Sequence, residues 1–183
     1  MKKVTYLAVF MVIIFLAGCS NAAKKSDENS GDALANIKKA MWASVERPNS
    51  PAPEFSLNDI NGNVIQSTQF KGKPYIVQGF TFGCNSCEHE IAELNKVHAE
   101  FGDKINIISL DVSGDEDNAV RETKQKYNGG DWIWASDTSG LGVKFGMKST
   151  ESTFLVDKSG IIVYADHILS DAAQLSEEIK KVV

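Results

Sequence analysis

Apolar residues recur along this chain with two periods. Between Ser86 and Phe101, Ile91, Leu94, His98 and Phe101 share one face at helical spacing. Ala172, Leu175, Ile179 and Val182 repeat that spacing near the C-terminus, and Leu34, Ile37, Met41 and Val45 repeat it in a shorter stretch. A weaker helix is predicted over Glu116–Tyr127. Compact apolar runs predict strands at PYIVQGF (74–80), INIISL (105–110), within DWIWASD, at TFLVD (153–157) and at IIVYA (161–165). Glu54–Leu57 and Asn63–Gln66 flank DINGN, whose Asn61-Gly62 is a turn signal, and Lys158-Ser159-Gly160 joins the last two strands as a hairpin. Strands alternating with helices, then a hairpin and a helix, predict an α/β sheet with helices packed on it. There are no internal repeats.

The N-terminus departs from this pattern. Lys2 and Lys3 precede an uncharged apolar run from Val4 to Ala17, too short for a typical membrane-spanning helix and suited to a signal peptide. The run closes in Leu16-Ala17-Gly18-Cys19, which resembles the lipobox of lipoproteins. There cleavage precedes the cysteine, whose thiol takes a diacylglycerol. Residues 1–18 are thus expected to be a signal peptide. An uncleaved anchor with an incidental Cys19 is the other reading. Residues 20–33 are small, polar and charged, as in a flexible tether, and RPNSPAP (47–53) reads as an extended connector. A lipidated Cys19, the tether and the short helix are assigned to 19–50, and a globular domain to 51–183. Composition changes little in this picture: 183 residues, 43% hydrophobic and 23% charged, suit one domain with extras. The net charge of −5 leaves no basic footprint, so nucleic acid is not an expected partner.

The chain has three cysteines. If Cys19 carries lipid, Cys84 and Cys87 remain, too close together to staple a large loop. They lie where a strand passes into a helix. Free amides and the helix dipole at that point favour a thiolate on Cys84, the attacking species in disulfide exchange. One turn on, Cys87 is placed to resolve a mixed disulfide. Glu90 is three residues further on the same face, either a proton carrier for Cys87 or a solvated helix glutamate. Gln78, on the strand before the motif, cannot titrate. Gly79 and Gly83 are expected to serve the backbone there, and Trp132 and Trp134 to pack.

Residues 52–166 resemble the TlpA/ResA group of membrane-bound thioredoxin-like oxidoreductases. APEFSLNDINGNVIQSTQFKGKPYIVQGF is similar to that group's opening hairpin and first central strand, CNSCEHE to its active-site helix start, and STFLVDKSGIIVYAD to its closing hairpin. The resemblance implies a thioredoxin-like fold: a mixed sheet of four or five strands with flanking helices and an N-terminal hairpin. It implies catalysis by Cys84, Cys87 and Glu90, with Cys84–Cys87 as the redox-active disulfide. It also implies protein disulfide substrates outside the cytoplasm, such as apocytochrome c, and a membrane-bound electron donor. No cofactor or metal is expected, and the protein is expected to be a monomer held at the membrane by lipid. Three departures from the group would shape the substrate groove. Gly83 replaces its tryptophan, Asn85-Ser86 replace its usual proline-containing pair, and Glu151, after Thr150, stands where thioredoxin-like proteins have a cis-proline. A cis bond before a non-proline costs about 2.5–4 kcal/mol, so Thr150–Glu151 is expected to be trans. A carboxylate near Cys84 would oppose its thiolate.

Two other readings stay open. GFTFGC resembles the peroxidatic stretch of peroxiredoxins, with Thr81 three residues before Cys84. However, Val77 stands in place of the proline, and the only arginines are Arg47 and Arg121. A non-enzymatic copper or zinc carrier would use the same thiolates, which suit soft metals, with help from His89, His98 or His167. A closed zinc site needs four ligands.

Overall fold

The computed structural model describes residues 45–183. The expected signal peptide, Cys19, the tether and the short helix lie outside the described residues, apart from Val45. In chain order the elements are β1 (Ser50–Pro51), β2 (Ser56–Asn58), β3 (Val64–Gln66), β4 (Tyr75–Phe80), α1 (Asn85–Phe101), β5 (Asn106–Asp111), α2 (Asp117–Lys126), β6 (Ile133–Ser136), α3 (Leu141–Phe145), β7 (Thr153–Val156), β8 (Ile161–Asp166) and α4 (Ala172–Ile179). A six-stranded sheet has the order β1-β8-β7-β4-β5-β6, and β2 pairs with β3 in a separate hairpin. β4, β5 and β6 run parallel, while β7 joins β4 antiparallel and pairs with β8. The expected α/β, thioredoxin-like architecture is therefore present.

β4 is buried at every position, as a central strand covered on both faces should be. Alternation along the strands sorts the core. Ile76, Ile107 and Leu155 face Leu94, Val97 and Phe101 of α1 and Leu175 and Ile179 of α4. Val77, Ile108, Phe154 and Val156 pack on the other side with Phe55, Phe70 and Phe145. Each such side chain contributes about 1.5–3 kcal/mol by leaving water. A third cluster of Phe80, Cys87, Ile91, Val120, Tyr127 and Trp134 seats the start of α1 against α2 and the end of the sheet.

Besides 3-10 turns at Ser67–Phe70 and Gly102–Lys104, the structure adds two elements. β1 is a two-residue edge strand on β8, and Pro51 is tolerated there because an edge position needs no second ladder. Ahead of it, Glu46 exchanges backbone hydrogen bonds with Ala165 at 2.8 and 2.9 Å, and Arg47 makes a two-pronged pair with Glu178 of α4 at 3.0 and 2.8 Å. The sheet thus reaches further back than a start near Pro51. α3, a single short helix, was not legible as a period. Trp132 and Trp134 pack as expected, their rings stacked 5.7 Å apart, and His98 meets the edge of Trp132.

Candidate active site

β4 ends at Phe80, and three residues turn the chain into α1. Gly83 takes φ 76°, a left-handed conformation that a side chain makes costly, so the family's tryptophan does not fit this backbone. Cys84 is the N-cap of α1. Its sulfur accepts the Cys87 N–H at 3.1 Å, and its carbonyl accepts the Tyr127 hydroxyl at 2.9 Å. Cys84 and Cys87 are joined as a disulfide. Cys87 is fully buried and Cys84 half-buried, so only the outer sulfur meets solvent.

Glu90 lies one turn beyond Cys87 on the same helix, with 0% exposure. It is not a solvated helix glutamate. Thr153 Oγ1 donates to one carboxylate oxygen and the Ser170 amide to the other, both at 2.8 Å. Burial pushes its pKa from 4.5 up to about 7, although those two hydrogen bonds pull it down. The group thus changes charge near neutral pH, as a proton carrier must. A second buried carboxyl, Asp166, accepts from the Tyr164 hydroxyl at 3.1 Å and from the Ile168 amide, also at 3.1 Å. Gln78 is buried on β4. It accepts from Ser109, which in turn accepts from the Trp132 indole, and its amide donates to the Gly79 carbonyl.

The loop before β7 closes the other side. No peptide bond is cis among the described residues, so Thr150–Glu151 is trans. Glu151 accepts from Ser86 and, at 3.2 Å, from Thr150. The Ser86 hydroxyl, more than any other group, holds the Glu151 carboxyl below the usual carboxylate range. Ser86 Oγ and Thr150 Oγ1 stand 3.3 and 3.9 Å from Cys84 Sγ. Ser152 packs the loop from beneath, its hydroxyl 2.9 Å from His167 Nδ1.

Of the residues singled out in the sequence, the structure thus gathers Cys84, Cys87, Ser86, Thr150 and Glu151 around one sulfur pair. Glu90 sits behind it, and Gly83 and Asn85 are exposed on the rim. Cys19 lies outside the described residues. Tyr127, Thr153 and Ser170 were missed. Ser170 acts through its backbone, which carries no sequence signal, while Thr153 could have been found as the inward residue opening the strand after the Glu151 loop. His89 is on the solvent face, His98 packs on the Trp132 ring with its Nδ1 buried and without a hydrogen-bond partner, and His167 meets the Ser152 hydroxyl. Among the described residues no three His, Cys, Asp or Glu side chains are grouped to hold a metal ion.

The geometry supplies an accessible sulfur, a buried resolving sulfur and a buried carboxyl titrating near neutrality, the parts of two-step dithiol exchange. Comparison with known proteins agrees. The AhpC/TSA family matches residues 48–165. The thiol-disulfide oxidoreductase ResA of Bacillus thuringiensis subsp. konkukian is 29% identical over 133 residues, covering 72% of this chain and 76% of that protein. The thiol:disulfide interchange protein DsbE of Escherichia coli K12 is 26% identical over 157 residues, covering 84% and 80%. Among solved structures, a DsbE from Chlorobium tepidum, described there as a putative thiol:disulfide interchange protein, superposes with a TM-score of 0.67 at 16% identity, covering 75% of this chain and 97% of that one. The match runs from the first sheet residues to the last strand and takes in the cysteine helix, so the chain belongs to the AhpC/TSA family, as a thiol–disulfide oxidoreductase of thioredoxin-like fold that carries the Cys84–Cys87 pair.

Proposed function

We propose that this protein is a lipid-anchored, extracytoplasmic reductase of disulfides in secreted or membrane proteins, apocytochrome c among them, recharged by a membrane-bound electron donor. The observation that carries the exchange step is the graded burial of the pair, with Cys84 at the surface and Cys87 and Glu90 sealed beneath it. In the reduced protein the Cys84 thiolate attacks a substrate sulfur and expels the other as a thiolate. The Cys87 thiol passes its proton to Glu90 and attacks Cys84 Sγ. The substrate's two thiolates take one proton back from Glu90 and one from water, so it leaves as a dithiol, the protein holds the Cys84–Cys87 bond, and two electrons have moved to the substrate. The donor then returns two electrons and two protons are taken up. Lys2, Lys3, the apolar run to Ala17 and the Leu16-Ala17-Gly18-Cys19 sequence support the anchor and the extracytoplasmic site. The monomeric state follows the family resemblance.

A peroxidase would need a guanidinium near the attacking sulfur. Arg47 is committed to Glu178, and Arg121 reaches Asn61 at 3.4 Å. Trapping tests the proposal. Cys87→Ser should accumulate mixed disulfides between Cys84 and extracytoplasmic proteins, resolved on non-reducing gels. A Cys87→Ser protein that captures none would defeat the exchange reading.

A further inference from the structure

Two hydroxyls face the outer sulfur of the disulfide, Ser86 Oγ at 3.3 Å and Thr150 Oγ1 at 3.9 Å. A hydroxyl has one proton to donate. Ser86 donates its proton to Glu151 Oε1, and Thr150 donates its own to Oε2 at 3.2 Å. Both oxygens of one carboxylate are thus filled by the two hydroxyls that would otherwise serve Cys84. What those hydroxyls turn toward the sulfur is lone-pair density. Glu151 is ionised at neutral pH, because the Ser86 bond lowers its pKa. Among the described residues, the one remaining donor to Cys84 Sγ is the Cys87 amide at 3.1 Å.

We infer that Glu151 is a positioning residue that poises the Cys84–Cys87 couple toward the disulfide, by drawing the Ser86 and Thr150 protons away from the Cys84 sulfur. A thiolate exists at Cys84 only in the reduced protein. Donors to it stabilise the dithiol side alone, and withholding them favours the disulfide side. A protein so poised gives electrons up readily, as the reductase role requires. The biological meaning rests on that role, whereas the chemistry does not. Measured against glutathione, the two protein thiols lose two electrons and two protons as the Cys84–Cys87 bond forms. One glutathione disulfide takes up both and becomes two thiols.

The decisive experiment is a cycle of variants in the otherwise intact protein, equilibrated with glutathione buffers at about pH 9, where an ordinary cysteine is ionised. Cys84 ionisation is followed alongside by thiolate absorbance. Glu151→Ala should move the equilibrium toward the dithiol by about tenfold, the worth of one hydrogen bond to a charged group, and lower the Cys84 pKa. Glu151→Gln, which keeps the side chain's shape, should move it the same way by less. Ser86→Ala with Thr150→Val should change little alone, since those protons are already withheld. That pair should abolish the effect of Glu151→Ala when all three are combined. An equilibrium unmoved by Glu151→Ala and Glu151→Gln overturns the inference. So does a shift of equal size with and without the hydroxyls, which would mean that the charge acts directly through space. If the shift and its dependence on the hydroxyls appear but Cys87→Ser traps no protein, the reductase role fails and the poising of the couple stands.

Discussion

Glu90 is a single carboxyl whose surroundings decide its chemistry. Its pKa rises from 4.5 to about 7 because burial penalises the anion. The folded state therefore holds the proton more tightly than the unfolded state. The stability this contributes is complete below about 4.5 and is lost as pH rises through about 7. At about 1.4 kcal/mol per pKa unit, the loss is on the order of 3 kcal/mol. Glu90→Gln should flatten that decline in denaturant titrations run from acid to neutral pH. It should also remove a turnover inflection near neutrality and push disulfide exchange to higher pH. An unchanged pH–rate profile would leave Glu90 a structural residue. At this scale the sequence was readable where a side chain is the agent. Cys84 and Cys87 stand out by spacing, Glu90 by spacing together with the family resemblance, and Glu151 by being the wrong residue for its place. The Ser170 amide and the Tyr127 hydroxyl were not readable, since each depends on a distant segment folding back.

Among the elements, α1 is the one that brings the cysteine pair and Glu90 together. It could be read to within a residue because its apolar face repeats over several turns. β1 and α3 were invisible because elements that short complete no period. The seat of the two indoles was equally hidden. A Cβ on Gly130 would lie 2.1 Å from a ring carbon of Trp132, and one on Gly129 would lie 2.2 Å from a ring carbon of Trp134. Gly130 also presents its carbonyl to the Trp134 indole at 3.2 Å. Only glycine permits that approach. Gly130→Ala should therefore cost about 1–3 kcal/mol through overpacking. The cost should be seen as a lower urea midpoint at unchanged slope, with altered tryptophan fluorescence. A midpoint equal to that of the parent would mean the loop yields freely. Because Trp132 donates to Ser109, which donates to Gln78, the same substitution reaches the strand beneath the cysteines.

For the molecule as a whole, parallel and antiparallel neighbours of β4 put the cysteine helix and the Glu151 loop at one end of the sheet. Alternating periods announced that arrangement, and the family resemblance set its order. What could not be read was how the N-terminal segment joins the sheet, because the Glu46–Ala165 and Arg47–Glu178 bonds link residues far apart in the chain. The proposed anchor makes its own prediction. Cys19→Ala should release the protein from the membrane fraction while leaving exchange activity of the soluble fraction intact. Retention of the Cys19→Ala protein in washed membranes would favour an uncleaved apolar anchor.

The depth of the two sulfurs also decides how many thiols a reagent meets. With Cys87 at 0% exposure and Cys84 at the rim, the reduced dithiol offers a bulky maleimide one target. The native reduced protein lacking Cys19 should take up one label rapidly, and the second only after unfolding. Rapid double labelling would show that α1 opens as soon as the sulfur bridge is cut. Single labelling would make the order of events stoichiometric: every partner, whether substrate or donor, meets the protein through the same atom.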